Sequence, residues 1–241
     1  MSNSSAEQKN YSLILLEEMR TGMYANALRL PPEIEIGKQF GISRTMVRDT
    51  LSILEQEGYV TRKQGIGTII NHNVLNIPNR IDIEKEFLDM VRSCGYEPGV
   101  KDIKMSLVQD DQVCEKLKVP KGTNLIQSVR TITADGRPAI YTEDYIAESL
   151  IKTSNYKLEE SPEPIFEFLK KYGHTEVYLD ISEIIAINAH GKIVEKLTLK
   201  EGEAIIYIDE VGYNMEGQRV LYCKEYYANG IFNHMIMRKK I

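Results

Sequence analysis

The sequence predicts an α+β protein in two parts: a small helical N-terminal domain closed by a hairpin, then a larger domain built on an antiparallel sheet. Three observations carry this prediction. Helical spacing with matching cap residues fills the first 58 residues, a glycine-tipped hairpin pattern follows, and one helix-then-hairpin pattern later occurs twice, 80 residues apart. A chain of 241 residues is comfortable for one small and one medium domain.

From Tyr11, apolar residues at Ile14, Leu15 and Met19 give a helical spacing that ends at Gly22. Pro31 and Pro32 stop the chain and restart it as a short helix from Glu33 to Phe40, terminated by Gly41. Ser43 stands where an N-cap belongs, before a run reaching Glu57 and closed by Gly58. Val47, Thr50, Leu51 and Leu54 form the buried stripe of that third helix, and Arg44, Thr45 and Arg48 share the flank it leaves free. "YVTRKQGIGTII" then alternates around a Gly65-Ile66-Gly67 tip. Helix, helix, turn, helix, hairpin is a winged helix-turn-helix, assigned to residues 1–71.

Residues 72–79, within "NHNVLNIPN", have no periodicity and are expected to be a linker. The second domain is assigned to residues 80–241 and begins with the amphipathic "IEKEFLDMVRSCG". In it "EKLKVPKGTNLIQSVRTI" resembles "EKLTLKEGEAIIYIDEVG" at an offset of 80, and "DGRPAIYTEDY" matches "EGQRVLYCKEY" at an offset of 81. Each copy reads as a helix end followed by a hairpin. Two such hairpins can pair into one antiparallel sheet, with a helix over Glu163–Tyr172 packed on it.

Composition narrows the function classes. Cys94, Cys114 and Cys223 are widely separated without CxxC spacing, so structural thiols are expected and no disulfide. His72, His174, His190 and His234 are scattered too, so no metal site is expected, and no cofactor. No Ser/His/Asp set or paired carboxylates at a useful spacing appear, so there is no catalytic candidate. The absence of any long apolar run argues against a membrane span. "MSNSSAEQKN" lacks the order of a signal peptide, and a cytoplasmic location is the expectation.

The net charge of −5 does not itself point to nucleic acid. Residues 1–72 carry eight Lys/Arg against eight Asp/Glu, so any such role depends on where the cations point. A recognition helix puts its N-terminal turns into the major groove, where Arg donates two hydrogen bonds to guanine or grips phosphate. Arg44, Thr45 and Arg48 suit that geometry; the alternative is a solvated face with Arg48 paired to a nearby acid. Arg62 and Lys63, beside Gly65 and Gly67, suit a wing laid on phosphates, or simply an exposed hairpin.

The stretch "LPPEIEIGKQFGISRTMVRDTLSILEQEGYVTRKQGIGTII" resembles the DNA-binding domain of GntR-type bacterial repressors across about residues 9–71. The resemblance implies that Arg44, Thr45, Arg48, Gly65 and Gly67 contact double-stranded operator DNA. It also shows a departure, because Ile34 stands where the family usually has a DNA-contacting arginine. The remainder, about residues 80–236, resembles the UTRA effector-sensing domain of the HutC branch, with a chorismate-lyase-like fold. "GYEPG", "PIFEFLKKYG" and the two repeat copies carry that likeness.

In relatives sensing phosphorylated sugars, an Arg-x-Arg pair, a Glu in the next strand and a Ser-x-Tyr at a helix start bind the ligand. Here Arg130 keeps the first arginine and Ile132 replaces the second. Thr142 takes the glutamate position, Pro164-Ile165-Phe166 replaces the Ser-x-Tyr, and Lys85 aligns with a serine of the first UTRA helix. Arg130 and Lys85 suit an anionic effector, a sugar phosphate or another anion. Alternatively Arg130 pairs with an acid across the sheet and Lys85 is solvated. Tyr145, with Tyr141, Tyr207 and Tyr222, lines such a pocket or packs the sheet.

The resemblance implies a homodimeric one-component regulator, a repressor, whose operator binding responds to a small molecule. Two other readings stay open: a winged-helix interaction module with a vestigial sensor, and a chorismate-lyase-like enzyme.

Overall fold

The computed structural model describes residues 3–153, 156–158 and 164–239, without the side chains of residues 3–9. The chain forms two compact units. One takes in the chain as far as Glu84 and again from His234; the other runs from Lys85 to Asn233. No helix among the described residues is long and apolar enough to cross a membrane.

The first unit is a winged helix-turn-helix. Its elements are α1 (Asn3–Arg20), α2 (Glu33–Phe40), α3 (Arg44–Gln56), β1 (Val60–Lys63), β2 (Gly67–Ile70) and α4 (His72–Leu75). On α1 the buried face is Ser12, Leu15, Leu16 and Met19, whereas Ile14 turns outward. One helical turn separates the members of that face, and Ile14 falls off it. Helix α3 buries Val47, Thr50, Leu51 and Leu54, as its spacing predicts. The Ser43 hydroxyl accepts the Met46 N–H at 3.2 Å and starts the helix. Gly58, at φ +82°, ends it and lets the Tyr59 N–H reach the Leu54 carbonyl at 2.8 Å.

Four further features extend the head beyond the motif. Leu30 donates to Thr68 and Ile70 donates to Leu28, so a short third strand joins the β1–β2 hairpin. Residues 72–79, expected as a linker, contain α4, whose Leu75 is buried in the head core. Ile83, expected on the first helix of the second domain, packs on that same core, and the helix itself begins at Phe87. The C-terminal segment returns here as well: Met235 bridges Arg80, and the Lys239 ammonium donates to the Glu55 and Gln56 carbonyls that end α3.

The second unit is one six-stranded antiparallel sheet in the order β3-β4-β5-β8-β7-β6. Its strands are β3 (Pro98–Val108), β4 (Leu125–Ala134), β5 (Arg137–Ala147), β6 (Leu179–Asn188), β7 (Ala204–Tyr213) and β8 (Arg219–Tyr227). The helices are α5 (Phe87–Ser93), α6 (Asp111–Leu117), α7 (Ile165–Phe168), which continues as a π-helical turn through Gly173, and α8 (Lys192–Leu197). The helix expected over Glu163–Tyr172 is thus α7 with its π turn; Glu163 lies outside the described residues.

The sequence repeat is the architecture of this sheet. β3-α6-β4-β5 and β6-α8-β7-β8 are two copies of one unit, joined where β5 pairs with β8. Both repeat helices end in a left-handed residue, Lys118 and Thr198, and both are followed by a left-handed glycine, Gly122 and Gly202. Strand alternation then sorts the side chains. Tyr141, Glu143, Tyr145, Tyr222, Lys224 and Tyr226 face α6 and α8. Arg130, Thr142, Asp144, Cys223 and Glu225 face the other way, toward α5 and α7.

Candidate DNA interface and effector site

In the head, Arg44, Thr45 and Arg48 are all exposed on the N-terminal half of α3. The acidic partner expected beside Arg48 lies instead beside Arg44, whose Nε meets Glu33 Oε2 at 3.1 Å. That pair is loosely held, because the Arg44 side chain keeps 72% of its exposure. Ile34, on the first turn of α2, is 55% exposed.

At the wing, Gly65 and Gly67 adopt φ +77° and +98°, conformations that strain any residue with a Cβ. Lys63 is exposed at the end of β1. Arg62 behaves differently. Its backbone N–H and its Nε donate to Glu55 at 2.7 Å each, and its Nη2 reaches the Ser52 hydroxyl at 3.1 Å. Burial alone would raise the Glu55 pKa, but these donors outweigh it and hold the carboxyl below its ordinary value. Arg62 therefore fastens the wing to α3.

Arg29 is a cation that the sequence reading missed. It is exposed and its Nη1 donates to the Ile66 carbonyl at the wing tip, 3.1 Å away. The alternating "LRL" before the prolines is the only local signal of the strand that carries it.

In the second unit, Arg130 is buried and pairs across β4–β5 with Asp144 at 3.5 Å, the pairing expected as the alternative to ligand binding. At that distance the contact is an ion pair but too long for a good hydrogen bond. Arg130 Nε and Nη2, Asp144 Oδ2 and Ser128 Oγ are consequently buried without a hydrogen-bond partner. The Arg130 guanidinium also lies 5.4 Å from the centre of the Phe87 ring. Thr142 is fully buried and its hydroxyl donates to Asp144.

Acids outnumber bases around this pair. Glu225 and Glu210 are buried on the same face, Glu210 accepting from Ser182 at 2.5 Å. Glu86, on the turn into α5, also feels the charges of Arg130 and Asp144. Burial pushes the Asp144 and Glu86 carboxyls above their ordinary values despite the opposing pull of Arg130. Burial also lifts Glu210, to about 7. The Cys and acid side chains, scattered along the chain, thus meet in space: ligating atoms of Glu210, Cys223 and Glu225 lie within 4.8 Å of one another. All three cysteines are free thiols.

The other expected effector residues divide. Phe166 joins the apolar cluster under α7, with Ile126, Ile146 and Cys223. Lys85 precedes Glu86, and its charge acts on the Cys94 thiol. Tyr145 does not share a face with Arg130 and Thr142. It is three residues beyond Thr142 on one strand and so points to the α6 side, where its hydroxyl donates to Glu143 and accepts from Gln127, each at 2.8 Å. Tyr141, Tyr207 and Tyr222 lie on that same side.

A helix-turn-helix head with exposed arginines on its third helix, followed by a sheet domain with a buried polar cluster, defines a DNA-binding regulator that carries its own sensor. The chain belongs to the UTRA domain family, matched over residues 93–232, with a head of the gntR family of bacterial regulatory proteins matched over residues 12–70.

Among its relatives is the probable fructoselysine utilization operon transcriptional repressor of Shigella flexneri, 24% identical over 218 residues and covering 87% of each chain. The transcriptional repressor NagR of Bacillus subtilis is 24% identical over 221 residues, covering 88% of each. Of solved structures, the possible transcriptional regulator YydK from Bacillus subtilis shares the fold with a TM-score of 0.70 at 17% identity, covering 94% of this chain and all of that one. PhnF from Mycobacterium smegmatis does so at 0.57 and 18%, covering 94% and 98%.

Proposed function

We propose that the chain works as a homodimeric, cytoplasmic repressor whose head binds a two-fold operator and whose sheet domain releases or retains it according to a small molecule. The observation that carries the DNA half is the exposed Arg44, Thr45 and Arg48 set on the first turns of a helix whose opposite face is wholly committed to the core. Arg48 reads a base edge and Arg44 exchanges Glu33 for phosphate. Lys63 and Arg29, with the wing glycines, hold the backbone beside the groove. DNA binding belongs to the unit ending at Glu84 together with the C-terminal return; sensing and dimerisation belong to Lys85–Asn233.

The effector site is placed at the Arg130 cluster, where buried polar atoms lack partners. With Asp144, Glu210, Glu225 and Glu86 around a single arginine, a phosphate would meet repulsion on most sides. A neutral polyol or an amine-bearing sugar fits better, a shift from the anion that Arg130 and Lys85 alone imply. Fructoselysine, named in the relatives' descriptions, is the first ligand to try. The relatives are described as transcriptional repressors, which supports reading the chain as a binding protein.

Footprinting on the promoter of its own gene tests the DNA half. The Arg48→Ala protein, folded by circular dichroism, is expected to lose roughly 1–3 kcal/mol of specific binding. An unaltered footprint would remove the recognition-helix assignment, and no footprint from the native protein would favour a winged-helix interaction module. Effector binding shifts operator affinity only through differential affinity for two states. A titration in which fructoselysine and neutral polyols leave affinity untouched, while glucosamine-6-phosphate changes it, would overturn the charge assignment.

A further inference from the structure

A second cleft lies on the opposite face of the sheet from Arg130, beneath α6. It encloses about 400 Å³, within the range of roughly 300–1,000 Å³ typical of small-molecule sites. Gln112 and Lys116 form its roof, Ile187 one side, and Tyr207, Lys224 and Tyr226 much of its floor. The Tyr207 and Tyr226 rings stack on each other at 4.9 Å between centres, 26° from parallel, and give the cleft an aromatic wall.

The internal repeat shows what is unusual about it. α6 packs on β8 as α8 packs on β5, so each place under one helix has a twin under the other. At the offsets of the repeat, Gln112 corresponds to Lys192 and Lys224 corresponds to Glu143. Under α8 the twin site is closed: Lys192 Nζ meets Glu143 Oε1 at 2.8 Å, and the Tyr141 hydroxyl donates to the same carboxylate. Under α6 the helix cation has become Gln112 and the strand acid has become Lys224, so no ion pair joins those two positions, and the helix is tied to the sheet one turn further on by Lys116 and Asp209.

Lys224 is left without a carboxylate at ion-pair distance among the described residues. It stands between Glu143 and Asp209 in the strand register but pairs with neither. Glu143 is taken by Lys192, Tyr141 and Tyr145; Asp209 is taken by Lys116 at 2.5 Å, Tyr207 at 3.0 Å and Tyr222 at 2.8 Å. The ammonium instead lies 5.4 Å from the Tyr145 ring and 5.8 Å from the Tyr222 ring.

From this geometry we propose that the α6 cleft is a second ligand site, specific for a planar aromatic carboxylate. The ring lies on the Tyr207–Tyr226 wall, and the carboxylate supplies Lys224 and Gln112 with the negative charge that Glu143 supplies to Lys192. A monoanion matches the one uncommitted cation, whereas a dianion would press on Asp209 and Glu143. The proposal is independent of the Arg130 site, because strand alternation puts the two on opposite faces.

The test is fluorescence titration of the full chain with 2-naphthoate and, as the uncharged control, 2-naphthylmethanol; the protein has no tryptophan to interfere. Saturable 2-naphthoate binding is expected, with the alcohol weaker by roughly tenfold or more. Lys224→Met should weaken 2-naphthoate by about the same factor, and Arg130→Met should not. A chain carrying Gln112→Lys with Lys224→Glu copies the closed twin site and should not bind at all. Should that chain fail to fold, Lys224→Met and the alcohol control still decide. No saturable binding of 2-naphthoate, equal affinity for the alcohol, or a loss that follows Arg130→Met and not Lys224→Met would each overturn the proposal.

Discussion

In the head the arginines of α3 stand in water, Arg44 with 72% of its side chain exposed, and the deeply buried arginine of that unit, Arg80, is held by a close bidentate pair with Asp82. In the sensor domain Arg130 retains 8% and its partner Asp144 2%, at a loose 3.5 Å. An exposed cation adds little to folding free energy and is available to an anionic polymer. A buried ion pair is the reverse, since desolvation opposes it and loose geometry at 3.5 Å recovers little of that loss. The head thus keeps its proposed DNA-contacting groups outside its core, whose buried polar groups, Ser12, Thr50, Asn79 and Arg80, are none of them among those groups. The sensor domain builds polar groups into the middle of its sheet, where only a ligand or ordered water can complete them. On the proposed assignment of the two sites, stability and function are separable in the first unit and coupled in the second.

The largest test of that coupling is Asp144→Ala, which leaves Arg130 buried and unpaired. A loss of about 3–5 kcal/mol in the unfolding of the sheet domain is expected, followed in urea by tyrosine near-UV circular dichroism. Arg130→Met combined with Asp144→Leu should recover most of it. A loss below about 1 kcal/mol for the single variant would mean that the cluster is solvated, and the contrast between the two units would collapse.

A smaller effect is expected from Glu210, whose carboxyl sits at about 7 in the folded chain and near its ordinary 4.5 when unfolded. The folded state holds the extra proton between those values, so stability is greatest below about 4.5 and falls as pH rises through 7. Glu210→Gln removes that dependence. Its melting temperature should exceed the native value at pH 8, by on the order of 2 kcal/mol in stability, with little difference at pH 5. Parallel pH profiles for the two proteins would show that Glu210 is not the titrating group.

How much of this was legible in the sequence follows the same division. In the head, function is written within one helix and one turn. Ser43, the 47-50-51-54 stripe and Gly58 fix α3, and the exposed flank follows by subtraction. Two things escaped because they depend on distant pairing. The strand at residues 28–30 carries Arg29, and the return of Lys239 to the end of α3 spans more than 180 residues. In the sheet domain the repeat was legible because local hairpins carry it, so the strand pairing could be anticipated. Side-chain neighbourhoods were not: Arg130 meets Asp144 through strand registry, and Tyr145, expected with the other strand tyrosines to line the pocket of Arg130 and Thr142, is separated from them by the sheet. The acids Glu86, Glu210 and Glu225 come from three separate segments, and nothing local marks them as a cluster.

The smallest effect distinguishes the two neighbouring cations of the wing. Lys63 is exposed and has no ion-pair partner among the described residues, whereas Arg62 is bound to Glu55 and Ser52. Lys63→Gln should therefore leave the melting temperature unchanged and weaken operator and random DNA alike. The slope of log affinity against log salt should drop by about one. Arg62→Gln removes a clamp, so its loss should appear mainly as lower head stability, by up to about 1 kcal/mol for a half-exposed pair. The salt slope should change little, because Arg62 does not neutralise a phosphate of its own. A fall in slope for Arg62→Gln equal to that for Lys63→Gln would show that DNA draws Arg62 off Glu55. The wing would then be fastened to α3 only in the absence of DNA, and the head's separation of stability from binding would fail at this residue.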